Sequence, residues 1–97
     1  MTSPNFMNVV RFKLKKNCVE KYFEVIKKTD FEGMRQRYIA KTGYFDYCFV
    51  GIWESAEAIA TQRPKMISHL EDVRGFMEEL SPELVVTDPV SGNILAI

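Results

Sequence analysis

The segment Tyr44-Phe-Asp-Tyr-Cys-Phe-Val-Gly-Ile-Trp53 constrains this chain more than any other, because both of its alternate sets are largely apolar. Phe45, Tyr47, Phe49 and Trp53 form one set, and Tyr44, Cys48, Val50 and Ile52 the other. A strand that is apolar on both sides needs cover on both sides. In a chain of 97 residues one helix layer can cover one face of one sheet. The other face calls for a second subunit packed sheet against sheet, so the pattern predicts a homodimer. Chain length points the same way: a domain this small buries only about two-thirds of the surface exposed by its unfolded form, and association adds to that.

Residues 7–14 alternate, with Val10, Phe12 and Leu14 on one face and Arg11 and Lys13 on the other, which predicts a first strand. Asn17, followed three residues later by Glu20, has the form of a capping box opening a helix that turns Val19, Tyr22, Phe23 and Ile26 inward. From Met34 the chain reads as extended up to a turn signal at Thr42-Gly43. A two-residue loop there makes a hairpin and sets Tyr38 opposite Tyr47. Ser55 caps a short helix that Arg63-Pro64 interrupts, and Met66, Leu70, Val73, Met77 and Leu80 form the stripe of a longer one ending at Ser81-Pro82. Residues 84–87 and 94–97 read as extended, with a turn over 88–92. The expected architecture is α+β: one ferredoxin-like βαββαβ domain over 1–97 with an antiparallel sheet, paired into a dimeric α+β barrel.

Charge and cysteine content narrow the function. Lys plus Arg and Asp plus Glu both number 13, so no basic excess exists to neutralise phosphates, and neither nucleic acid nor an acidic membrane is an expected partner. The first residues lack a leader pattern and no apolar run is long enough to span a bilayer, so a soluble cytoplasmic protein is expected. Cys18 and Cys48 lack metal-ligand spacing and read as reduced thiols. With one histidine in the chain, cysteine and histidine together muster only three zinc ligands, and no metal is expected. No nucleophilic triad, P-loop or dinucleotide fingerprint is present.

The order of elements, the strand ending in Gly51-Ile-Trp-Glu-Ser-Ala-Glu-Ala58 and the tail Thr87-Asp-Pro-Val-Ser-Gly92 together resemble the antibiotic biosynthesis monooxygenase superfamily over residues 7–97. The most telling piece is Trp53-Glu54 ahead of a small-residue helix start. This resemblance implies a dimeric α+β barrel and, in some members, oxygenation of polycyclic phenols or quinols with neither metal nor flavin, hence no cofactor. The related haem-degrading enzymes use a first-strand asparagine, a helical tryptophan and a histidine. Asn8 answers the first, but Gln62 and Asp72 stand where the other two belong, and His69 is out of register, which argues against haem degradation.

Strand parity groups Asn8 with Val10, Phe12 and Leu14, and Tyr47 with Phe49 and Trp53, while His69 borders the apolar stripe of the longer helix. These residues and Tyr38 are the candidates for a pocket between sheet and helices that takes a small aromatic ligand. In cofactor-free oxygenation the substrate supplies the electrons, so the protein positions it, accepts a proton and excludes water. His69 is the expected base. Asn8 and Tyr47 are expected at the developing enolate oxygen, and Trp53 stacked on the ring. Every one of these side chains also has a packing role open to it, and a non-catalytic dimeric binding or stress-associated module is the alternative. Arg35, Arg37 and Lys41 alternate and offer an anion site or, more simply, a solvated strand face.

Overall fold

A computed structural model describes residues 5–97. Its elements are β1 (Phe6–Lys13), α1 (Val19–Lys28), β2 (Met34–Gly43), β3 (Asp46–Trp53), α2 (Ala56–Val73) and β4 (Thr87–Asn93). The βαββαβ order and the antiparallel sheet, arranged β2-β3-β1-β4, are those expected from the sequence. Tyr22 and Ile26, one helical turn apart on α1, enter a core with Phe12, Leu14, Tyr47 and Val73. A second, smaller cluster joins Phe31, Trp53 and Ile59.

Five local expectations fail for identifiable reasons. The hairpin closes at Gly43 and Asp46 around Tyr44 and Phe45, so Tyr38 lies opposite Val50 and Lys41 opposite Tyr47. This register turns Ile39 inward opposite Phe49, whereas the expected one turns it out; burial of Ile39 decides the matter, and Phe45 takes a left-handed φ of 66° to close the loop. Next, Asn17 lies in a 3₁₀ turn, Lys16–Cys18, and caps nothing; Cys18 occupies the N-cap of α1 without a side-chain bond.

Pro64 does not divide the second helix: α2 runs unbroken from Ala56 to Val73, opened by Ser55, whose hydroxyl accepts a hydrogen bond from the Ala58 N–H at 3.1 Å. Pro64 and Ala60, whose carbonyl loses its helical donor, are both exposed, so water can replace the missing bond. The helix also stops earlier than Ser81, passing into a 3₁₀ turn at Arg74–Phe76, after which buried Met77 bridges to Leu14. Finally, the stretch expected to turn, 88–92, is the interior of β4, while residues 84 and 85 sit in a tight turn closed by Ser81 and Val85. Strand β4 is an edge strand, where the missing N–H of Pro89 breaks no ladder.

Candidate functional site

Inward and outward positions separate cleanly on β3: Tyr47, Phe49, Gly51 and Trp53 are buried toward the helices, and Cys48, Val50 and Ile52 are half-buried on the outer face. Their partners on β1 continue the inner rows, with Asn8 beside Gly51, Val10 beside Phe49 and Phe12 beside Tyr47. Between these rows, the inner side of β4 and helix α2 lies a cleft of about 430 Å³. Asn8, Val10 and Pro89 form its sheet wall, Met66 and Leu70 belong to its α2 wall, and Tyr22 and Phe31 also border it. Ligand cavities typically measure about 300–1,000 Å³ and are mostly apolar with a few directed polar groups, a description this cleft meets.

Asn8, 5% exposed, is the one buried amide or charged residue among the described residues. Its Oδ1 accepts a hydrogen bond from the Trp53 indole Nε1–H at 2.7 Å. Gly51 lies beside that bond: a Cβ there would collide with Asn8 Oδ1 and stand 3.0 Å from Trp53 Nε1. A glycine inside a strand costs stability unless something must approach its backbone closely, and here the amide and the indole do. Trp53 is fully enclosed between Phe31 and Ile59 and is absent from the cleft wall, so its ring has no free face on which a ligand could stack.

His69 borders the cleft from α2, edge-on to the Phe31 ring with centroids 6.0 Å apart. Burial holds its pKa below the ordinary value of 6.5, with Arg37 acting in the same direction and Asp72 opposing. The Thr29 hydroxyl donates its only hydrogen to the Val25 carbonyl at 2.9 Å. Toward His69 Nδ1, at 3.5 Å, Thr29 can therefore only accept, a weak contact that favours the Nδ1–H tautomer and leaves Nε2 as the basic nitrogen.

Tyr47 is buried against Phe12 and Phe23 and does not reach the cleft; it borders a separate depression with Arg11, Thr42 and Asp46. Tyr38 is 58% exposed on the outer face, so the pocket role expected for it is corrected by the hairpin register. Arg35 pairs with Glu54 and Arg37 donates to the Thr29 carbonyl, while Lys41 lies over the Tyr44 ring, 5.8 Å from its centroid. Asn8 and His69 are thus the two expected site residues that the cleft brings together.

Tyr22 is a cleft residue that sequence reasoning passed over as part of a helix stripe. Its hydroxyl makes no hydrogen bond among the described residues, and the side chain borders the cleft. Burial raises its pKa strongly, with Arg37 opposing, which keeps it a neutral phenol and a hydrogen-bond donor. Among the described residues no cluster of three or more metal-ligating side chains occurs, and no helix is long and apolar enough to cross a membrane.

A four-stranded antiparallel sheet in the order β2-β3-β1-β4, with its inner face against two helices, defines a ferredoxin-like α+β domain. Solved structures of antibiotic biosynthesis monooxygenase-like proteins share this fold. A monooxygenase from the gene ActVA-Orf6 of Streptomyces coelicolor, in complex with nanaomycin D, is 15% identical with a TM-score of 0.72 and 96% of this chain and 89% of that one covered. SnoaB, a cofactor-independent oxygenase from Streptomyces nogalater, is 14% identical with a TM-score of 0.66, covering 97% and 94%. A dimeric ferredoxin-like protein from an uncultured marine organism is 13% identical with a TM-score of 0.70, covering 98% and 91%. No family model matches the sequence. No curated protein matches it either.

Proposed function

We propose that this chain binds a flat aromatic or quinol-like molecule in the cleft between β1, β4 and α2 and oxygenates it without a cofactor. The observation that carries this reading is the meeting, in one largely apolar cleft, of a base of lowered pKa, His69, with the buried amide of Asn8 and the neutral phenol of Tyr22. His69 Nε2 takes the proton from the bound phenol or its keto tautomer, and the electron-rich anion then reacts with molecular oxygen. For anthrone the balance is one O₂ consumed, one methylene carbon converted to a carbonyl and one water released. Apolar walls keep bulk water from the carbanion, and the donors hold its oxygen. The fold shared with a cofactor-independent oxygenase supports this chemistry at the level of architecture.

A non-catalytic binding module of the same fold is the second reading, favoured by the solid packing of Trp53 and Tyr47, two aromatics first expected at the ligand. The test is oxygen uptake with anthrone in the presence of a chelator. Catalysis predicts uptake above the spontaneous rate, stoichiometric anthraquinone, and a His69→Gln variant that loses turnover with little change in KM. Binding of anthrone with no uptake above background would establish the module instead.

The assembly proposed is a homodimer joined through the outer sheet face, where Val9, Val50 and Ile52 are half-buried and Tyr38 is exposed in the single chain. Light scattering should give twice the chain mass of 11.2 kDa, and a monomer mass at all concentrations would remove this proposal.

A further inference from the structure

The hydrogen bond between Trp53 and Asn8 has a fixed direction. An indole N–H can only donate, so the atom it meets must be the amide oxygen of Asn8, and the amide NH₂ is forced to the other side. Among the described residues that NH₂ group has no hydrogen-bond partner, and no polar side-chain atom is both sealed and unpaired. Asn8 is 95% enclosed and borders the cleft, so the open space its NH₂ faces is the cleft itself. Gly51 keeps this arrangement possible, since any side chain at that position would push the amide off the indole.

We propose that Trp53 is a positioning residue that locks the Asn8 amide with its NH₂ toward the ligand, and that the site thereby selects molecules presenting an accepting oxygen at that point, a ketone or a phenolate, over molecules presenting an N–H donor. The inference rests on the ligand-cleft reading and adds the polarity of the ligand to it. A free asparagine can turn its amide over and serve a donor or an acceptor equally. Held by an indole, it serves an acceptor and leaves a donor facing a donor, both desolvated and unpaired.

Three tricyclic probes of nearly one shape separate the possibilities: fluorenone offers a carbonyl oxygen, fluorene a methylene and carbazole an N–H. Titration calorimetry on the full chain should place fluorenone about five- to tenfold tighter than fluorene, the worth of one hydrogen bond, and carbazole weakest. Trp53→Phe removes the indole donor, and Gly51→Ala disturbs the lock from the other side. Each should erase the preference of fluorenone over carbazole while fluorene binding stays within about twofold of the unmodified protein. As Trp53 is the single tryptophan, its indole N–H gives one resonance in a nitrogen-correlated spectrum. That resonance should lie downfield and exchange slowly with solvent, and the Asn8 NH₂ pair should move on adding fluorenone but not fluorene. Equal affinity for the three probes in the unmodified protein, or an unchanged preference in a folded Trp53→Phe or Gly51→Ala variant, would overturn the lock while leaving the cleft as a binding site. Failure of all three probes to bind would overturn the cleft reading and the lock with it.

Discussion

The inner layer of this domain has two ends that use the same kinds of residue for different purposes. At one end Phe12, Tyr22 and Tyr47 stack in a chain of aromatic contacts, with ring centroids 5.0 Å apart for Phe12 and Tyr22 and 5.8 Å for Phe12 and Tyr47. At the other end Phe31 and Trp53 pack beside a buried amide, a strand glycine and a half-buried histidine. The first end is held by contact area, the second by a directed hydrogen bond that area cannot replace. Both ends border the cleft, the first through Phe12 and Tyr22 and the second through Asn8, Phe31 and His69, but only the second keeps a buried amide, which a small core retains at a cost.

Substitutions separate the two ends, beginning with the largest effect. Phe12→Ala should lower unfolding free energy by about 3–5 kcal/mol in chemical denaturation, since it removes a buried ring from the aromatic end. A loss below about 1 kcal/mol would mean that this end is not close-packed. Asn8→Ala should cost about 1–3 kcal/mol, because the Trp53 indole N–H is left buried without an acceptor. Tyr22→Phe should weaken anthrone binding about fivefold in calorimetry, whereas Tyr47→Phe should leave it unchanged, because only Tyr22 faces the cleft.

The smallest effect concerns acid stability at the polar end. Because burial lowers the His69 pKa, the unfolded chain takes up a proton near pH 6.5 while the folded chain resists it. Folding stability is therefore lost as pH falls from about 6.5 through the lowered value, and is fully present above 6.5. His69→Gln should flatten the stability profile across that window, as seen in denaturation midpoints at successive pH values; an unchanged slope would place His69 in solvent.

The two ends also differ in how far the sequence reveals them. Alternation on β1 and β3 identifies the inner rows, and Ser55 marks the start of α2, because period and capping are local properties. Asn8 and His69 are legible as polar residues on or beside apolar stripes. Trp53 and Tyr47 are legible only as inward aromatics: whether an inward ring fills the core or meets a ligand depends on where α2 stands, which no local pattern encodes. Tyr38 was lost with the hairpin register, set by the inward turn of Ile39 rather than by the turn signal at Thr42-Gly43. Pro89 concealed β4 because proline argues against a strand everywhere except an edge. Gly51 carried a signal that could have been used, a glycine in the middle of an aromatic strand, which marks a close approach.

The most direct measurement is a crystal structure of the protein grown with anthrone under anaerobic conditions. A ligand-binding cleft predicts the tricycle between β1 and α2, with an oxygen within hydrogen-bonding distance of the Asn8 NH₂ and the ring beside His69. An empty cleft at saturating anthrone, or a cleft closed by Met66 and Leu70 against Val10, would contradict it.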